Sequence, residues 1–246
     1  VYDPVTVAQP ETYYGGTRED DNKDEDPRQL VKDALKLVED QVTENDIKSF
    51  CSDGKTIDCV YIVYAGLGQN DGGDGTTVWA NCWTTDGATL GGKKVRWYTM
   101  SGELSPVKIK DKDGTTIIPV VVNGLGVICH EFSHSLGLPD MYPTETSAYS
   151  DNQEMEYWDL MDGGEYTYNG FCPTAYTAFE KEQMGWPVDI KPLDSDASVT
   201  MTKSTEQGGT AYKIVNPLND KEYLMLEYIQ LEGWNKYLFG NGLLVY

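Results

Sequence analysis

Residues 123–142 read Asn-Gly-Leu-Gly-Val-Ile-Cys-His-Glu-Phe-Ser-His-Ser-Leu-Gly-Leu-Pro-Asp-Met-Tyr, and within them His130-Glu131-Phe132-Ser133-His134 has the spacing H-E-x-x-H. Residues four apart stand on one face of an α-helix, so both imidazoles can reach a single metal ion. Glu131 projects beside them, where it can take a proton from water at that ion. The surrounding residues predict the helix independently of the motif. Asn123 can cap it, apolar residues follow from Gly124 to about Leu136, and Gly137 is suited to a left-handed terminator. These are the only two histidines among 246 residues. Once both serve a metal, Ser/His/Asp and Cys/His catalysis have no imidazole left.

Two imidazoles and a carboxylate suit Zn²⁺, and catalytic zinc keeps three protein ligands and an open position. With no third histidine, the remaining ligand is expected to be Asp or Glu. The motif continues to Asp140 as H-E-x-x-H-x-x-G-x-x-D. Gly137 permits a sharp turn back toward the ion, and Asp140 then sits where metzincin-type enzymes place their third ligand. Glu154, at a gluzincin-like distance, is the main competitor, with Glu145 and Glu156 behind it. Trp158-Asp159-Leu160-Met161-Asp162-Gly163-Gly164 follows. Met161 ahead of Asp-Gly-Gly is a candidate for the buried methionine turn that floors such sites. Tyr166 or Tyr168 could donate to an oxyanion, or be structural.

The rest of the chain frames this motif. Nineteen Lys+Arg against 40 Asp+Glu leave a net charge of −21, which disfavours nucleic acid and anionic membrane surfaces as partners. No apolar run is long enough to span a bilayer. Asp26-Pro27 should start a helix reaching about Gln41, with Leu30, Val31, Ala34, Leu35 and Val38 on one face. Strands are expected at 59–65, 76–83, 94–99, 117–122, 211–215, 222–230 and 243–246, and a further helix at 173–184. The mixed order indicates an α+β protein. Cys51 and Cys59 bracket a turn at Asp53-Gly54 and are either a small disulfide or free thiols, and Cys129 reads as a core thiol. Asn70–Gly75 and Glu19–Asp26 carry the oxygen ligands of a structural Ca²⁺ site but not EF-hand spacing, so solvated turns compete with that reading.

The blocks Cys129–Tyr142, Trp158–Gly164, Ala175–Trp186, Val60–Gly66 and Gly242–Tyr246 together resemble the immune-inhibitor-A-like secreted zinc metallopeptidases of bacteria. The resemblance implies a zinc endopeptidase acting on protein or peptide substrates, made as a precursor, exported to the medium or cell surface, and continuing past Tyr246. The segment ahead of the Val60–Gly66 strand departs from the family, because Cys51–Thr56 has lost most of an Asp-rich, calcium-type loop; Pro143 also replaces a frequent Asp. The expected fold is a zincin-like α+β catalytic domain with a twisted mixed sheet. Residues 1–137 would form its upper part with the active-site helix. Residues 138–246 would form the lower part with Asp140 and Met161, and substrate would lie extended in the cleft. A non-catalytic zinc-containing surface module or adhesin is the alternative, although such a module has no use for Glu131.

Overall fold

The computed structural model describes residues 1–18, 23–148 and 154–246. Contacts divide the chain into two compact units, Val1–Asn123 and Gly124–Tyr246. The division falls just ahead of the motif helix.

In the first unit, α1 (Glu11–Gly15), α2 (Pro27–Val38) and α3 (Glu44–Ser49) precede the sheet. The Asp26 carboxylate accepts from Gln29 N at 3.0 Å, filling one of the donors that a helix start leaves open, and Pro27 follows in the first turn. Leu30, Val31 and Leu35 form the buried face, and a 3-10 turn, Glu39–Gln41, carries the coil to its expected end. The short α1 and α3 have too few turns to show a period and were not anticipated, although Thr43 and Asp46 close α3 with a reciprocal cap.

The strands are β1 (Thr56–Leu67), β2 (Asn81–Thr84), β3 (Thr89–Leu90), β4 (Lys93–Pro106), β5 (Ile109–Lys110), β6 (Thr116–Ile117) and β7 (Val120–Val122). β4 is the hub: β1 runs parallel to it, and β2, β3 and β7 pair with it antiparallel. β5 and β6 form a separate hairpin. Val31, Ile57, Val78, Tyr98 and Met100 centre the core. The strand expected at 76–83 is confined to β2, because the Asp74 carboxylate takes Thr76 N at 2.8 Å and holds its start in a turn. Pro119 has no N–H to donate and splits the one expected at 117–122 into β6 and β7.

Several local expectations need correction. Of the two readings for Cys51 and Cys59 the disulfide does not form: Cys51 is a thiol buried in the core, and Cys59 Sγ lies 3.5 Å from Thr99 Oγ1. Asp53 closes the intervening turn by accepting from Lys55 N and Thr56 N, each at 2.7 Å. In the Asn70–Gly75 loop, Asp71 accepts from Asn70 and Asn123 while Asp74 serves Thr76, so the carboxylates are spent on neighbours rather than gathered as ligands. Part of the second acidic loop, 19–22, lies outside the described residues; Asp24 accepts from Trp79 N and Asp26 caps α2. Among the described residues of the two loops, a structural Ca²⁺ site is not supported. Asn123 does not cap the motif helix, because its Nδ2 donates to Asp71 Oδ2 at 2.9 Å and to Gly102 O at 3.3 Å.

The second unit opens with α4 (Leu125–Ser135), the motif helix, capped by Gly124 without a side-chain bond. Its buried residues are Gly126, Val127, His130, Glu131 and Ser133. Cys129 is half-buried, and burial raises its thiol pKa. α5 (Ala178–Gln183) is shorter than the 173–184 span, because Thr177 and Glu180 form a reciprocal cap that sets the start, and Gly185 at φ +69° follows the end. β8 (Asp189–Pro192), β9 (Thr210–Asn216), β10 (Asn219–Ile229) and β11 (Gly242–Val245) form a sheet in the order β11-β10-β9-β8, with β8 and β9 parallel and the other pairs antiparallel. Ala178, Ala211 and Met225 form its buried centre. Among the described residues, no helix is long and apolar enough to cross a membrane.

Candidate metal centre

α4 presents His130 and His134 one turn apart, and the chain then reverses at Gly137, whose φ of +100° favours glycine. The reversal brings Asp140 back to the histidines. Its Oδ1 lies 3.2 Å from His130 Nε2 and 3.4 Å from His134 Nε2, and the three donor atoms all fall within 4.8 Å of one another. Glu145, Glu154 and Glu156 do not join this group, and all three are exposed.

Backbone carbonyls set the ring orientations. His130 Nδ1 donates to Leu160 O at 3.0 Å, and His134 Nδ1 donates to Leu138 O at 2.8 Å. A carbonyl can only accept, so Nδ1 carries a proton on both rings, and Nε2 is the nitrogen that donates to Asp140 when protonated and offers its lone pair to a metal ion when that proton is lost. A tetrahedral ion with bonds of about 2.0–2.1 Å holds its ligand atoms about 3.3 Å apart. The Nε2–Oδ1 separations are close to that value. Two imidazoles and one carboxylate with fixed tautomers fit Zn²⁺.

The charges are strongly coupled. Burial disfavours a charged His130, but the Asp140 hydrogen bond and the Glu165 and Glu131 carboxylates outweigh it and raise its pKa to about 9. His134 is raised by the same balance of burial against Asp140. Burial alone would raise Asp140, yet hydrogen bonds from both rings hold it well below the usual carboxylate range. Glu131, 8% exposed, is pushed up to about 7 by burial, an effect that the two imidazoles partly offset.

Residues 158–164 pass behind these ligands. Leu160 supplies the carbonyl for His130, Met161 is fully buried, and Met161 O accepts from Met141 N at 2.8 Å, one residue past Asp140. Tyr166 is exposed and lines a cavity of about 430 Å³ with Tyr142, Glu154, Asp162 and Glu165. Tyr168 instead stacks on Tyr237, with ring centroids 3.8 Å apart.

Residues 1–187 match the family model described as the Immune inhibitor A peptidase M6 catalytic domain. The chain belongs to this peptidase M6 family. It is 29% identical over 202 residues to Immune inhibitor A of Bacillus thuringiensis subsp. alesti, a match covering 72% of this chain and 28% of that protein. It is 26% identical over 192 residues to the pre-pro-metalloprotease PrtV of Vibrio cholerae serotype O1 strain M66-2, covering 69% of this chain and 20% of the relative. The chain thus spans under a third of the length of these curated relatives. No solved structure matches it.

Two side chains of this M6 site were given no role from the sequence. Tyr142 stacks beside His130 at 6.5 Å between centroids, and burial, then the neighbouring Asp140 charge, raises its phenol pKa. Glu165 is buried with Oε2 3.8 Å from His130 Nδ1. Tyr142 stands two residues past Asp140, a position from which a return toward the ligand could have been read. Glu165 follows a Gly-Gly pair and carries no such signal.

Proposed function

We propose that the chain is the catalytic part of a zinc-dependent endopeptidase of zincin type, in which His130, His134 and Asp140 hold the ion and Glu131 is the general base. The observation that carries this reading is the convergence of two Nε2 atoms and one Asp140 oxygen, with the buried Glu131 beside them on the same helix. Bound there, zinc would supply Lewis acidity, making water more acidic near neutral pH and polarising the carbonyl under attack.

The chain's own residues do the rest. Leu160 O and Leu138 O keep both imidazoles turned with Nε2 inward. Asp140, whose pKa lies well below the usual carboxylate range, stays ionised and available as a ligand. Glu131 accepts the proton of the attacking water and returns it to the departing amine. A carboxylate whose pKa lies near 7 can do both, since general acid–base catalysis works best when the pKa is close to the working pH. Met161, fully buried in the turn that carries Leu160, serves as the apolar floor. The family resemblance and the precursor named in one relative support synthesis as an exported precursor.

Removal and return of the metal test this reading. Dialysis against a chelator should abolish cleavage of an unfolded protein substrate, and added zinc should restore it. Undiminished cleavage by the metal-free protein would overturn the proposal.

A further inference from the structure

Two fully buried carboxyl groups stand behind the metal centre and take no part in the chemistry above. Leu160 and Met161 support that centre through their carbonyls, and Asp159 fixes the turn that carries them: its Oδ1 accepts from Met161 N at 2.7 Å, and its backbone carbonyl accepts from Gly164 N at 2.9 Å. Asp159 is 1% exposed, and Glu180 on α5 is 0% exposed. Glu180 Oε2 is occupied by Thr177, accepting from its N at 2.6 Å and its Oγ1 at 2.9 Å. Glu180 Oε1 is buried and finds no donor among the described residues. The group within its hydrogen-bonding reach is the Asp159 carboxyl, itself an acceptor when ionised.

Two carboxylates in contact in a dry interior cannot both stay charged. Burial, then repulsion from Asp159, raises Glu180 well above the carboxylate range. Burial brings Asp159 to about 6, with the Met161 N–H and a hydrogen bond from Glu180 holding it below that partner. The other charges facing Asp159 are Asp162, which repels it, and His130, which attracts it. Lys181 and the Tyr176 phenol also feel the Glu180 charge.

We propose that Glu180 is a carboxylic acid at neutral pH whose Oε1–H donates to Asp159, and that this bond positions the Asp159–Met161 segment and, through it, His130 and Asp140. The second half rests on the zinc reading above; the first does not. Both are positioning residues, since neither touches the ion or the substrate.

Amide substitutions separate this bond from simple packing. Glu180→Gln keeps the shape, leaves an oxygen for Thr177 and presents a permanent donor to Asp159. Asp159→Asn reverses the direction: its oxygen still serves Met161, its amide donates, and Glu180 ionises. With both changes, two amide donors face each other. Zinc affinity, measured by competition with a chelator, should stay within about threefold of wild type in each single variant and fall about tenfold or more in the double variant, because a buried donor is left unmatched. An infrared difference spectrum of wild type minus Glu180→Gln at neutral pH should show a carboxylic-acid C=O band, and the same band should vanish in Asp159→Asn. Absence of that band from the difference spectrum overturns the proton assignment whether or not zinc binds. A double variant that holds zinc as tightly as the single variants overturns the positioning role.

Discussion

Glu131 shows how one side chain is tuned by its surroundings. Burial raises its pKa to about 7, and the two imidazoles beside it pull the other way. In the proposed role of base it must be ionised, so cleavage should fall as pH drops through its pKa. A bound cation favours the ionised form, which places the acid limb of kcat/KM at or below about 7. An acid limb centred well above that value would contradict the role. The helix-face argument singled out His130, Glu131 and His134, all within five residues, and spacing with the lack of any further histidine pointed to Asp140; the structure brings the two rings and Asp140 together. The groups that orient the ligands were beyond such reading. Leu138 O and Leu160 O are backbone atoms, and every residue has one, so their selection depends on the folded path.

Elements were legible in proportion to their length and caps. α2 and α4 combine a periodic apolar face with a recognisable start or stop, and both were located closely. β8 has four residues and α1 five, which is too short for periodicity to separate them from loop. The Asn123 cap failed because a tertiary partner, Asp71, competed for its amide. The setting of α4 also depends on a feature that composition hides. A Cβ on Gly126 would stand 1.8 Å from Glu165 O, so the helix lies backbone-to-backbone against the 163–170 turn. Gly126→Ala should therefore displace α4 and destabilise the protein by about 1–3 kcal/mol in denaturant titration, weakening zinc binding as well. Asp26→Ala removes the α2 cap in the other unit and should cost about 1 kcal/mol while leaving zinc affinity unchanged. Equal effects of the two changes on zinc binding would argue against this placement of the site.

For the whole molecule, the net charge of −21 excluded nucleic-acid partners in the sequence reading and has one further consequence. A field of this sign concentrates cationic peptides near the surface, and salt screens it over a Debye length of about 10 Å at 0.1 M. kcat/KM for basic peptides should thus fall as ionic strength rises, while neutral peptides of equal length change little; parallel behaviour of the two would show that the charge has no steering role. The two compact units are defined by packing, which groups the motif helix with the residues after it, and no local sequence signal reports that packing. The central claim is that the motif forms a working zinc peptidase, and it is tested most directly by zinc content and peptide hydrolysis measured side by side for wild type and Glu131→Ala. Both proteins should bind zinc alike while the variant cleaves about 10²–10⁴-fold more slowly; a variant that cleaves as fast as wild type would contradict the account.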